Sequence, residues 1–209
     1  MRWPLPGGMG AKATTGDMRP PVPPADLSHR PLPLHTLEPG SSLFRIHQSS
    51  RGPKYFGRSG MWRFDAPDAS YGTLYAGHRP EVSFAETMLR GLGTLVASAE
   101  LASRALCRFT VVQPVRLVQL YGRHLVAMGA NASVTSGPYA HSQSWSGALH
   151  AHPEAPDGIV YRATHDNDEL AVVVFDRAAG LIDDGASDGL LSDLSLLGRL
   201  LNHYKAAIR

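Results

Sequence analysis

From about residue 42 onward, strand and helix periodicities alternate along the chain. Leu43-Phe44-Arg45-Ile46-His47 alternates apolar and polar side chains in part and reads as a strand, with Arg45 on the face of Leu43 and His47. Thr73-Leu74-Tyr75-Ala76 predicts a second, short strand, and residues 106–112, 115–120, 158–162 and 170–176 predict four more. The last of these, Leu170-Ala171-Val172-Val173-Val174-Phe175-Asp176, is an almost unbroken β-branched run, as expected of a central strand covered on both faces. Pro80 suits the first turn of a helix predicted to run to about Leu92, and further helices are expected at 120–129, 139–150 and 189–207. Leu190, Leu194, Leu197, Leu201, Tyr204 and Ile208 recur at spacings of three and four, a stripe for packing on the domain itself or on a partner. No internal repeat is present. The expectation is a mixed α/β domain.

Nine of the 16 prolines fall within the first 39 residues, which predicts an extended, poorly ordered tail over 1–40 and a folded domain over 41–209. With 43% hydrophobic and 18% charged residues the chain is of ordinary globular composition. Its net charge of +2 supplies no electrostatic footprint for direct nucleic-acid binding. The single Cys107 rules out an intrachain disulfide and, inside an apolar strand, reads as a small buried hydrophobe. The opening residues lack the apolar run of a secretion signal and no segment is long enough to span a bilayer, so a cytoplasmic protein without a membrane anchor is expected.

At roughly 100° per residue, Val82, Ala85, Leu89 and Leu92 form one stripe of the helix that Pro80 opens, and Glu86 projects at its margin. On the helix alone, a surface ion pair with Arg90 one turn on accounts for Glu86 as well as any chemical role does. Arg45 is equally ambiguous, either a bridge to a neighbouring carboxylate or an anion clamp whose planar fork fits phosphate oxygens. In 141–149, the hydroxyls of Ser142, Ser144 and Ser146 flank Trp145, an arrangement that suits a pocket for a planar ligand or simply bonds to the preceding turn. Gly91-Leu92-Gly93 follows a helix, not a strand, and lacks a third glycine, so it is no dinucleotide fingerprint. His150 and His152 have no third ligand at a recognisable spacing, which favours solvated or capping histidines and no metal. A Gly-x-Ser-x-Gly elbow is missing as well.

The order of these elements adds what no single one supplies. Arg45, the segment Trp62-Arg63-Phe64-Asp65-Ala66-Pro67, Tyr75-Ala76-Gly77, Ala85-Glu86, Trp145-Ser146-Gly147 and Asp157-Gly158-Ile159-Val160-Tyr161-Arg162 together resemble the RES domain, a family named for an Arg, a Glu and a Ser. The resemblance covers about residues 43–177. It matches Arg45, Glu86 and Ser146 to the family's three residues, with Ser142 and Ser144 behind Ser146, and adds Arg63 as a second Arg and Tyr75 as a pocket Tyr. Where the family often has Gly-Arg-Trp-Asn-Pro this chain has Phe64 and Asp65, whose roles stay open. The resemblance implies an ADP-ribosyltransferase-like split β-core with surrounding helices and a cleft that takes NAD as substrate. It implies loss of nicotinamide, with ADP-ribose passed to water, inorganic phosphate or a protein, and a toxin whose partner is an Xre-type antitoxin. In that setting Glu86 stabilises positive charge on the ribose, Arg45 and Arg63 hold the pyrophosphate, Tyr75 stacks on nicotinamide and Ser146 fixes the amide or ribose. The competing expectation is a non-catalytic module whose cleft binds a nucleotide or an antitoxin without turnover.

Overall fold

The computed structural model describes residues 22–91 and 94–209. In chain order the elements are β1 (Leu34–Leu37), β2 (Ser42–Gln48), β3 (Thr73–Gly77), α1 (Pro80–Met88), β4 (Leu95–Val96), α2 (Ser98–Ala102), β5 (Arg104–Thr110), β6 (Val115–Leu120), α3 (Arg123–Met128), α4 (Ser133–Ser136), α5 (Tyr139–His150), β7 (Gly158–Arg162), β8 (Leu170–Phe175), β9 (Ala186–Gly189), α6 (Leu194–His203) and β10 (Ala207–Ile208). Eight strands form one sheet in the order β1-β6-β7-β8-β3-β2-β5-β9, and β10 pairs with β4 in a separate ribbon. Within the large sheet β6 and β7 run parallel and the other neighbours are antiparallel. The fold is mixed α/β.

β8 lies between β7 and β3, and its alternate side chains enter opposite cores. Val173 and Phe175 pack with Val118, Ile159, Trp145 and Leu149, whereas Val172 and Val174 pack with Leu43, Leu74, Cys107 and Phe109. That two-sided burial is why the strand reads as an unbroken apolar run. A third cluster joins Ile46 of β2 to Phe84 and Met88 of α1 and to Leu197 and Leu200 of α6. The terminal helix therefore packs on its own domain, although it is shorter than the periodicity suggests: Asp193 caps it by accepting from the Leu196 amide, and Leu194 and Ile208 are exposed. Cys107 is fully buried, and burial pushes its thiol up to about 11, as befits a packing residue.

The proline-rich segment divides. Its residues 1–21 lie outside the described part. Beyond them the expectation of a loose tail to residue 40 gives way to packed structure, because Leu27, Leu32 and Leu37 are buried and β1 adds an edge strand to β6. Buried His152 is the anchor. Its Nδ1 accepts from the Glu154 amide, which leaves Nε2–H to donate to the carbonyls of Leu27 and Arg30, at 3.1 and 3.2 Å. The histidine thus caps the 27–29 turn and, buried and not solvated, holds the entering chain. β1 leaves no signature in the sequence, because four residues, Leu-His-Thr-Leu, are too few to establish an alternation.

The segment between β2 and β3 turns on Asp65, which is fully buried. Its Oδ1 accepts from the hydroxyls of Thr73 (2.7 Å) and Tyr75 (3.0 Å), and its Oδ2 accepts from the Ser59 hydroxyl (3.0 Å) and the Trp62 amide (3.2 Å). One carboxylate thus fastens the 59–65 loop to β3. From the opposite side, Gln143 of α5 donates to the carbonyls of Gly60 and Trp62, at 2.8 and 3.0 Å.

Two outcomes follow from these attachments. Deleting residues 1–40 removes three buried leucines and the partners of His152, an expected loss of roughly 5 kcal/mol or more, enough to unfold a domain of ordinary stability; a truncated protein that melts like the parent would refute the packing of this segment. Asp65→Asn replaces one acceptor with an amide NH2 among groups that already donate, and is expected to cost about 1–3 kcal/mol in urea unfolding. An unchanged midpoint and slope would show that the carboxylate is dispensable.

Candidate active site

β2 and β3 are neighbours in the sheet, yet a single register pair, Phe44 with Gly77, joins them. Gly77 is required there: a Cβ would lie 2.8 Å from Cβ of Val82 and 3.1 Å from Oγ of Ser83. α1 is pinned at the same place, since Ser83 Oγ donates to the Phe44 carbonyl at 2.6 Å. Beyond this pair the strands part. Arg45 reaches across the gap, and its Nη1 donates to the Tyr75 carbonyl at 3.2 Å, where a backbone amide would stand in a continuous ladder. Its Nε is buried with no partner. Burial pulls the Arg45 pKa below its ordinary value, but a guanidinium stays charged in a protein, and no carboxylate pairs with it among the described residues.

The parted strands open a cleft of about 600 Å³ lined by Arg45, Tyr75, Glu86, Tyr161, Trp62 and Arg90, among others. Three residues expected from sequence therefore come together: Arg45, Tyr75 and Glu86. The Tyr75 hydroxyl donates to Asp65 and accepts from the Phe64 amide at 2.9 Å, so its ring is fixed in place. Burial, and then the Asp65 charge, raises its pKa well above that of a free phenol. Tyr161 of β7 is likewise buried beneath the cleft, and desolvation first, then Glu86, raises its pKa.

Glu86 does not form the surface pair with Arg90. Its Oε1 accepts from the His165 amide at 2.8 Å, with the His165 Nδ1 at 3.6 Å, while Arg90 donates through Nε to the Glu86 carbonyl and lies over the Trp62 ring at 4.7 Å. Among the described residues no donor reaches the other carboxylate oxygen. The His165 turn between β7 and β8 is itself held by α6's C-terminal end, where the Tyr204 hydroxyl donates to Asp166 Oδ2 at 2.7 Å. α1 ends at Met88, short of the Leu92 expected, with Leu92 outside the described residues.

The remaining expected residues lie elsewhere. Arg63 donates to the Gly137 carbonyl at 2.8 Å and to Ser142 Oγ at 3.3 Å and covers the Tyr139 ring at 4.8 Å, tying the 62–65 loop to the start of α5. Ser146 is fully buried; it donates to the Phe64 carbonyl at 2.7 Å and accepts from Tyr71 at 2.8 Å. Ser142 donates to the Val134 carbonyl at 2.6 Å, and Ser144 is exposed beside a separate, smaller depression. None of these four lines the main cleft. Ser146 and Arg63 brace the loop that carries Trp62 and Asp65, which makes them supports of the cleft wall. Sequence reasoning missed His47, Arg51, Arg104, Tyr161 and His165 as cleft residues or their neighbours, because no local pattern distinguishes an arginine or histidine facing a cavity from one in water. No group of three or more His, Cys, Asp or Glu among the described residues is arranged to hold a metal, and no described helix is long and apolar enough to cross a membrane.

Comparison with known proteins bears on the same cleft. The RES domain model matches residues 42–191, a span that contains both parted strands, α1 and α5. No curated protein matches the chain. Among solved structures, the crystal structure of the M. tuberculosis MbcT–MbcA toxin–antitoxin complex is similar, with a TM-score of 0.57 and 15% identity over 73% of this chain and 85% of that one. That similarity is one of fold. With the family model spanning most of the chain and the parted sheet at its centre, the protein belongs to the RES domain family.

Proposed function

We propose that the protein consumes NAD, breaking the bond between nicotinamide and ribose and passing ADP-ribose to water or inorganic phosphate, and that it is the toxin of a toxin–antitoxin pair. The observation that carries this reading is a charged, buried guanidinium without a carboxylate partner, Arg45, in one cleft with a carboxylate, Glu86, that has an oxygen to spare. An anionic ligand answers the first group. A ligand that develops positive charge answers the second, and NAD does both: its pyrophosphate is anionic, and its ribose becomes cationic as the C–N bond breaks.

The chemistry needs little from the protein beyond placement and field. Nicotinamide departs neutral, taking the bonding electrons, and leaves an oxocarbenium-like ribose. Glu86, fixed by the His165 amide, stabilises that charge and orients the ribose hydroxyls or the attacking nucleophile. Tyr75, immobilised by Asp65, and Tyr161 give aromatic surface for a planar ring, and the Trp62–Arg90 pair borders the opening. Arg45 binds the pyrophosphate. Ser146 takes no part in touching substrate; its hydroxyl holds the Phe64 carbonyl and so the wall that presents Tyr75.

A free enzyme of this activity would drain a cofactor from the cell that makes it, which calls for a partner. The matched structure is of a toxin with its antitoxin, and an Xre-type antitoxin that covers the cleft is the proposed counterpart. The site of action is then inside the cell, where NAD is found.

Glu86→Gln keeps an oxygen for the His165 amide, so the variant is expected to melt like the parent and bind NAD, yet release nicotinamide on the order of a hundredfold or more slowly. Chromatography of NAD incubated with each protein reads this directly, and parental turnover in a folded Glu86→Gln protein would end the mechanism. Arg45→Ala should weaken NAD binding itself, because a clamp on the pyrophosphate acts on ground and transition states alike. Calorimetric titration with unchanged affinity would remove Arg45 from that role.

A further inference from the structure

Glu86 sits in the last turn of α1, the end of a helix whose field disfavours a carboxylate, so what holds it must come from another element. The His165 amide does so, at 2.8 Å. That amide belongs to the 163–169 hairpin turn between β7 and β8, in which Thr164, Asn167 and Asp168 are exposed. Within the turn the Glu169 amide donates to the Asp166 carbonyl at 3.1 Å and the Ala163 amide to the Glu169 carbonyl at 3.1 Å, bonds that shape the turn without tying it to α1. Its distance from Glu86 has to be set from outside.

Arg79 and Tyr204 bond to the turn from outside. Arg79, just ahead of α1, donates through Nη1 to Glu169 Oε1 at 3.1 Å, but its side chain is 55% exposed and also meets Glu81, so this is a surface pair of little strength. Tyr204, at the C-terminal end of α6, donates to Oδ2 of Asp166, the residue next to His165, at 2.7 Å, and a hydroxyl on an ionised acceptor makes the stronger kind of bond. Its ring stacks on Phe84 of α1, with centroids 6.3 Å apart and planes at 12°. Phe84 precedes Glu86 by two residues. One side chain therefore touches both sides of the Glu86–His165 bond, α1 with its ring and the turn with its hydroxyl. Burial first, and then the bond to Asp166, raise the Tyr204 pKa, which keeps the hydroxyl a donor at neutral pH.

We infer that Tyr204 is a positioning residue for the breaking of the nicotinamide–ribose bond, holding Glu86 in place through Asp166 and the His165 amide. Tyr204 is not among the residues that line the cleft, so it acts on the reaction through Glu86 and not on the substrate. A carboxylate that stabilises a developing cation depends on its distance from that cation, and a small displacement costs rate while leaving ground-state binding as it was. The inference rests on the reading of NAD consumption, in which Glu86 meets the charge on the ribose.

Tyr204→Phe removes the hydroxyl and keeps the ring on Phe84, so the full-length variant is expected to melt like the parent. Steady-state kinetics should show kcat for nicotinamide release lowered about tenfold with KM for NAD unchanged, and amide hydrogen exchange at His165 should quicken. In the Glu86→Gln background the same change is expected to cost nothing more, because its effect runs through that carboxylate. Parental kcat in folded Tyr204→Phe overturns the inference, as does a raised KM with kcat intact or a full second loss in the Glu86→Gln background. Should Tyr204→Phe fail to fold, Asp166→Ala decides, since it leaves the packing of α6 on α1 untouched, and parental kcat there overturns the inference equally. If the parent consumes no NAD, exchange alone decides: faster exchange at His165 in Tyr204→Phe keeps Tyr204 as the holder of Glu86 and rejects the NAD reading, and unchanged exchange overturns both.

Discussion

A buried guanidinium stands where a sheet would otherwise close. Because β2 and β3 share only the Phe44–Gly77 pair, the Tyr75 carbonyl has no backbone donor from β2, and Arg45 takes that place. Had the ladder continued, the strands would sit at the usual spacing and no cavity would lie between them. The arrangement is paid for by a charge in low dielectric, which is tolerable only when an opposite charge is near at least part of the time. The cleft and the unpaired charge that borders it thus have one origin.

Around that gap the molecule is built as a set of braces. Gly77 and Ser83 bring α1 hard against the point where the strands touch, and so set the distance of Glu86 from Arg45's strand. Asp65 ties β3 to the preceding loop with four bonds, and α5 holds that loop from behind through Gln143, Ser146 and Arg63. Apart from Ser83, these residues stand behind the cleft and not in its lining. A hydroxyl that fixes a carbonyl in the wall behind the cleft matters to the site as much as one that meets a ligand, but in a different way.

How far the sequence reaches follows the same division. β5 is legible because its apolar positions alternate and are buried accordingly, and β3, β7 and β8 because they are short, nearly continuous apolar runs buried on both faces. β9 is not: Ala-Ser-Asp-Gly carries no apolar pattern, is exposed throughout and is a strand solely because β5 offers it an edge. Glu86 was legible as a marginal residue of a helix but not as a partner of His165, which lies 79 residues away. Ser146 and Arg63 share the order of motifs that marks the family, yet order along the chain says nothing about direction in space. Arg51 and Arg104 had no signal at all, since their meaning comes from the cavity they share.

The tie from Tyr204 through Asp166 to the turn that holds Glu86 has a consequence for the order of synthesis. A domain folds as it leaves the ribosome, and its early strands emerge first. Arg45, Tyr75 and Glu86 are made early relative to their supports: the turn that steadies Glu86 follows it by 79 residues, and the phenol that steadies the turn follows by 38 more. A chain made only as far as β7 therefore carries the cleft residues of β2, β3 and α1 without the turn that holds Glu86. Glu86 is therefore framed only after α6 has been made and packed, so the geometry of the cleft depends on a segment that contributes nothing to its lining.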